Sequence, residues 1–123
     1  MGQPNPPPVV AVVEDDGPSR TALGRLLRAA GFEPALFESA EAYIDASLAP
    51  TCIVVDVQLP GMSGIELQQR LRAEGPAPPI IVTTARSDEA TRERAQQNGC
   101  AGFFRKPVDG SMLMALIATL ANL

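Results

Sequence analysis

Three short runs of nearly uninterrupted apolar, mostly β-branched residues constrain this chain most: VVAVV at 9–13, CIVVDV at 52–57 and IIVTT at 80–84. A strand with one face in water alternates apolar and polar residues. Runs without alternation read as strands buried on both faces of a parallel sheet. Helical spacing lies between them. Leu23, Leu26, Leu27 and Ala30 follow Pro18, which suits a first helical turn, and Gly31 is a good stop. Residues 33–37 predict a short strand. Ser39 predicts the N-cap of a helix through about Ala46, without a capping box. Ser63 with Glu66 three residues on predicts a capping box for a helix whose Ile65, Leu67 and Leu71 face inward. The run Gly75-Pro76-Ala77-Pro78-Pro79 is a hard break. Asp88 to Asn98 is polar but helix-prone, and Gly99 ends it. Phe103 and Phe104 lie in a short strand before Arg105-Lys106-Pro107, and a last helix runs from about Asp109 to Leu120. Strand and helix thus alternate five times. The fold class this predicts is α/β: one doubly wound, parallel, five-stranded (βα)5 sheet with right-handed crossovers.

Composition narrows the function. Apolar residues make up 46% of the 123, enough for a core, and aromatics only 4%, so aliphatics must fill it. Ten basic and fourteen acidic residues leave a net charge of −4. A non-specific nucleic-acid binder would carry a basic surplus, so no direct nucleic-acid contact is expected. Histidine is absent, which removes Ser-His-Asp and Cys-His sites and most zinc sites. Neither GxGxxG nor GxxxxGK[ST] occurs, which disfavours a nucleotide-binding loop. Cys52 and Cys100 stand in apolar surroundings and read as reduced thiols of a cytoplasmic protein. The start, MGQPNPPP, lacks the character of a signal peptide, and no apolar run is long enough to span a membrane. Residues 1–8 are expected to be a disordered Pro-rich tail and 9–123 one domain.

Ligands of open α/β sheets bind beyond the carboxyl ends of the strands. There the first strand ends in Glu14, Asp15 and Asp16, the third holds Asp56, the fourth ends in Thr83-Thr84 and the fifth is followed by Lys106. Asp56 is the sharpest signal. A carboxylate among Ile53, Val54, Val55 and Val57 costs several kcal/mol unless paired, metal-bound or neutralised. It is either a structural ion-pair partner or a carboxylate used as ligand or nucleophile. The acidic triplet alone could be a solvated loop; with Asp56 it makes a hard oxygen site suited to Mg²⁺. Lys106 is the only lysine among ten basic residues. Chance would explain that, and so would a need for a compact ammonium. Nucleophile, metal, cation and hydroxyl donor are the parts of a phosphoryl-transfer site.

The segments VVEDD, VVDVQLPGMSG, IIVTTA and FFRKP occur in the order and spacing of one family. From about Val9 to Leu120 the chain resembles a response-regulator receiver domain of bacterial two-component signalling. The stretch CIVVDVQLPGMSGIELQQRL is most similar to the FixJ-like branch, whose receivers usually precede a DNA-binding helix-turn-helix domain. The resemblance implies the strand order 2-1-3-4-5. It implies that Asp56 is the phosphoacceptor, taking its phosphoryl group from a histidine kinase or a phosphotransfer protein. It implies Mg²⁺ as cofactor, held by Asp15, Asp56 and the Gln58 backbone carbonyl, with Glu14 the other acidic member and Asp16 a bystander. Thr84 matches the switch hydroxyl, Ala85 the small residue beside it, Lys106 the phosphoryl-binding lysine and Phe103 the switch aromatic. The Lys106–Pro107 bond would be cis. Such a domain catalyses its own phosphorylation and dephosphorylation without being a conventional enzyme.

Two helices depart from expectation. SDEATRERAQQNG offers only Ala90 and Ala95 as apolar anchors, which predicts a helix with little buried area, and Arg86 is expected to act on the phosphoryl group. The last helix is apolar nearly all round, through Met112, Leu113, Met114, Leu116, Ile117 and Leu120. A docking face for an output domain or a second copy is one reading, and ordinary packing the other. Two further function classes stand beside the phosphorylated switch. A non-phosphorylated scaffold on the same fold would not need the complete site. A small phosphatase would need a substrate pocket that nothing in the sequence suggests.

Overall fold

The computed structural model describes residues 6–86 and 88–122. The elements in chain order are β1 (Val9–Val13), α1 (Gly17–Ala29), β2 (Glu33–Phe37), α2 (Ala40–Asp45), β3 (Cys52–Asp56), α3 (Gly64–Ala73), β4 (Ile80–Thr84), α4 (Glu89–Gln97), β5 (Gly102–Arg105) and α5 (Gly110–Leu120). All strand pairs are parallel, in the order β2-β1-β3-β4-β5. The chain runs from β1 outward to β2, then crosses back to place β3 on the other side of β1. The carboxyl ends of β1 and β3 meet at that reversal.

The uninterrupted strands are explained by what covers them. On one face Ala11, Val13, Ile53, Val55 and Val82 pack with Tyr43 of α2, Ile65 and Leu67 of α3 and Ala95 of α4. On the other, Val10, Val12, Cys52, Val54 and Ile81 pack with Leu27 of α1 and Leu113 and Ile117 of α5. Successive side chains point to opposite faces, so every position of β3 and β4 is buried. Each fully buried leucine or isoleucine contributes about 1.5–3 kcal/mol relative to exposure.

Short polar residues begin each helix. Ser39, Ser63, Asp88 and Asp109 accept a backbone N–H of the first turn, and Ser63 with Glu66 forms the reciprocal box. Asp16 is more than a bystander: it caps α1, accepting the Ser19 N–H at 3.0 Å, with Pro18 in the first turn. Of the expected tail at 1–8, the Pro8 carbonyl accepts the Glu33 N–H at 2.9 Å, and residues 1–5 lie outside the described residues. The Lys106–Pro107 bond is cis. No helix among the described residues is long and apolar enough to cross a membrane.

The two unusual helices resolve differently. In α4 only Ala95 is buried. Polar links from α3 assist it: Gln68 Nε2 donates to the Ala95 carbonyl at 3.2 Å and Arg72 Nη1 to that of Gln97 at 3.0 Å. The apolar surround of α5 is mostly packing. Leu113 and Ile117 are buried, while Met114, Leu116, Ala118 and Leu120 pack partly against the same core. Met112 alone among its large apolar side chains is exposed, at 63%.

Gly64 opens α3 against the back of the site strand. A Cβ there would collide with the Asp56 carbonyl oxygen and stand 3.0 Å from Val57 Cα. Backbone cannot yield as a side-chain tip can, so Gly64→Ala should lower stability by about 1–3 kcal/mol in urea unfolding. An unchanged midpoint would show that the loop gives way freely. Burial pushes the Cys52 thiol up to about 11, and the residue is fully buried. That burial contributes stability below the ordinary thiol pKa, and the contribution fades as pH climbs toward about 11. At pH 8 a thiol reagent should modify the half-buried Cys100 well before Cys52, followed by intact mass and peptide mapping. Equal rates in native and denatured protein would contradict the packing of β3.

Candidate functional site

Register assembles the site. Val13 pairs with Val55, so the residues that follow, Glu14 and Asp56, emerge side by side from β1 and β3. Asp56 pairs with Thr83, and Thr84 with Arg105, so Thr84 and Lys106 arrive on the same edge from β4 and the β5–α5 connection. Glu14 and Asp56 are 6% and 5% exposed, which for carboxylates requires a partner.

The partner is Lys106. Its ammonium donates to Glu14 Oε1 at 2.5 Å and to Asp56 Oδ2 at 2.8 Å. Burial pulls the lysine pKa down, but the hydrogen bonds and charges of Asp56 and Glu14 outweigh it, so it lies above the ordinary lysine value. The lysine is therefore charged at neutral pH, and its stabilising effect is lost only as alkaline pH rises through the raised pKa. Asp15 is exposed beside them, and one oxygen each of Glu14, Asp15 and Asp56 lies within 4.8 Å of the others. Three carboxylates against one ammonium leave negative charge uncompensated. An all-oxygen, partly open cluster of that sign fits a hard divalent cation such as Mg²⁺.

The remaining sequence-derived residues flank this cluster. The Gln58 N–H donates to Asp56 Oδ1 at 3.0 Å. The Thr84 hydroxyl is fully buried and bonds to the Gln58 side chain, not to Asp56. Phe103 pairs with Val82 of β4 and is half-buried against the α2–α3–α4 side of the core. Arg86 lines a depression with Asp88, Glu89, Arg92, Phe103 and Arg105, which none of the three carboxylates lines.

Two residues were not singled out in the sequence. Arg20 Nη1 donates to the carbonyls of Glu14 and Asp15, at 2.8 and 3.3 Å, and so holds the acidic turn from α1. Glu41 of α2 accepts the Met62 N–H at 2.9 Å and pins the loop after β3. That bond, followed by one from its own N–H, holds the Glu41 carboxyl below its usual value. Gly61 lies under it at φ +72°, where a Cβ would run into the Glu41 carboxylate. No local pattern marks either residue, because each acts across elements. A cleft of about 320 Å³ opens beside Glu14 and Lys106, walled by Leu23 and Leu26 of α1 and Val108 and Leu113 of the α5 side.

Known proteins share this fold. The solved BeF3-activated DrrB receiver domain superposes with a TM-score of 0.88 over 95% of this chain and 99% of its own, at 23% identity, a likeness of fold. Full-length FixJ from B. japonicum superposes at 0.86 with 35% identity, over 94% of this chain and 58% of that one. The transcriptional regulatory protein FixJ of Bradyrhizobium diazoefficiens is 37% identical over 110 residues, 88% of this chain and 54% of its own length. FixJ of Azorhizobium caulinodans is likewise 37% identical, with 52% of its length matched. The chain thus spans about half the length of these curated relatives. The family model described as the response regulator receiver domain matches residues 10–118, and this chain belongs to that family, the receivers of two-component signalling.

Proposed function

We propose that this chain is a phosphoacceptor switch in which Asp56 takes a phosphoryl group from a histidine kinase or phosphotransfer protein. The observation that carries this reading is the Lys106 ammonium bridging two buried carboxylates, with a third within reach. In the transfer a bond forms between an Asp56 carboxylate oxygen and phosphorus, and the phosphorus–nitrogen bond to the donor histidine breaks. The nitrogen keeps the electron pair. Lys106 already touches Asp56 and meets the incoming anion as a point charge. Glu14, Asp15, Asp56 and the Gln58 backbone carbonyl would hold Mg²⁺. When bound it neutralises charge on the carboxylates and on the phosphoryl oxygens. The cleft between α1 and α5 is an approach for the donor, with Leu26 offering apolar surface at 45% exposure.

The readout is a two-state change biased by the new charge. Thr84 turns from Gln58 toward the phosphoryl group and Phe103 packs inward. The surface of α4, β5 and α5 then changes for an output domain or a second copy of the chain. The small buried area of α4 supports its movement at low cost. Transcription regulators among the relatives support a DNA-binding output located outside this domain, and the two free cysteines suit a reducing cytoplasm.

Incubation with Mg²⁺ and acetyl phosphate should add one phosphoryl mass to the intact protein, and Asp56→Asn should abolish the adduct. Failure of the wild-type protein to form an adduct or to bind beryllofluoride would favour the unphosphorylated scaffold instead. Lys106→Met leaves Glu14 and Asp56 buried without their cation. Without Mg²⁺ it should unfold about 2–3 kcal/mol more easily, below the fully buried case because the lysine is 27% exposed. Added Mg²⁺ should raise its melting temperature more than that of the wild type, because the ion restores the missing positive charge. Equal stability of the two proteins would show that the bridge is not structural.

A further inference from the structure

The Thr84 hydroxyl makes two hydrogen bonds in this structure. It donates to Gln58 Oε1 at 3.1 Å and accepts the Arg86 N–H at 3.1 Å. The same Gln58 oxygen accepts the Ala85 N–H at 3.3 Å. One amide oxygen therefore collects the switch hydroxyl and the neighbouring backbone donor, both at the carboxyl end of β4, the strand next to Asp56. Gln58 also reaches the other way, its own N–H donating to Asp56 Oδ1 at 3.0 Å. Gln58 thus links Asp56, through its backbone N–H, to the Thr84 hydroxyl, through its side-chain oxygen. Thr84 is fully buried, so its hydroxyl cannot turn to water when it leaves an acceptor.

We propose that the Gln58 side chain is an internal stand-in for a phosphoryl oxygen, occupying the Thr84 hydroxyl and the Ala85 N–H until Asp56 carries the anion. This deepens the phosphoacceptor reading and rests on it. A neutral amide oxygen satisfies the buried hydroxyl and keeps β4's end in one arrangement. A phosphoryl oxygen is charged and forms the stronger bond, so it wins the exchange. The free energy of activation is the difference between the two acceptors, and the Gln58 bonds reduce it. Residue 58 thereby sets how far the anion shifts the population, through its side chain, separately from any ligation by its backbone carbonyl.

The test is beryllofluoride binding in saturating Mg²⁺, followed by two-dimensional amide NMR, on wild type, Gln58→Met and Gln58→Ala. Both variants remove the oxygen and keep the backbone carbonyl; methionine keeps the length and alanine guards against a folding defect in the first. The expected result is affinity roughly three- to tenfold tighter in both, the usual net worth of one hydrogen bond. The Ala85 amide resonance should shift even without ligand, because that N–H loses its Gln58 acceptor. Gln58→Glu should bind the anion more weakly than wild type, because its charge repels the anion and holds Thr84 harder. Unchanged or weaker binding in the methionine and alanine variants, with wild type binding normally, overturns the stand-in and leaves the phosphoacceptor reading intact. Absence of binding by wild type overturns both.

Discussion

A single ammonium shared by two buried carboxylates organises this molecule. Glu14 and Asp56 leave adjacent strands and sit almost out of water, where neither charge could persist alone. Lys106 reaches them from a third connection and lines the cleft between α1 and α5. The bridge ties the ends of β1, β3 and β5 together at one edge. It also leaves negative charge over, and a cluster of that sign and donor type fits a hard divalent cation.

The rest of the fold holds those ends in place. The parallel register carries Val13 opposite Val55 and Asp56 opposite Thr83, so four side chains distant in sequence share one edge without long loops. Gly64 lets α3 begin directly on the Asp56 carbonyl, and Glu41 and Arg20 fasten the loops that follow β3 and β1. Against this rigid side stands a lightly attached one. α4 buries only Ala95 and leans on two side-chain bonds from α3. An element so lightly held is one that moves at low cost.

Much of this was legible in residue order. Unbroken apolar strands announce a sheet covered on both faces, and a lone aspartate inside one of them announces a site. Ser63 with Glu66 announces a helix start that the structure reproduces. Asp16 reads as a spare acid in an acidic run, yet it caps α1; an N-cap and a metal-site carboxylate are the same group and differ only in meeting a backbone N–H or a cation. The apolar surround of α5 reads as a free face, yet most of it is half-covered by core neighbours that a helical wheel does not include. Arg86, two residues past Thr84, lines a depression with Arg92 and Arg105 that the carboxylate cluster does not share, a neighbourhood that spacing in the sequence does not reveal.

The sequence by itself determined the elements and the family, and it named the polar groups that gather at one edge of the sheet. Strand periodicity, capping and the burial penalty of a charge are local or nearly local properties. Which groups touch was decided only by tertiary structure. That Lys106 bridges Glu14 and Asp56, that Glu41 and Arg20 brace the loops, and that Gln58 rather than Asp56 holds the Thr84 hydroxyl all depend on side-chain directions set by strand register and helix placement. A hydrogen bond is made within a few tenths of an ångström, and residue order alone specifies no distance on that scale.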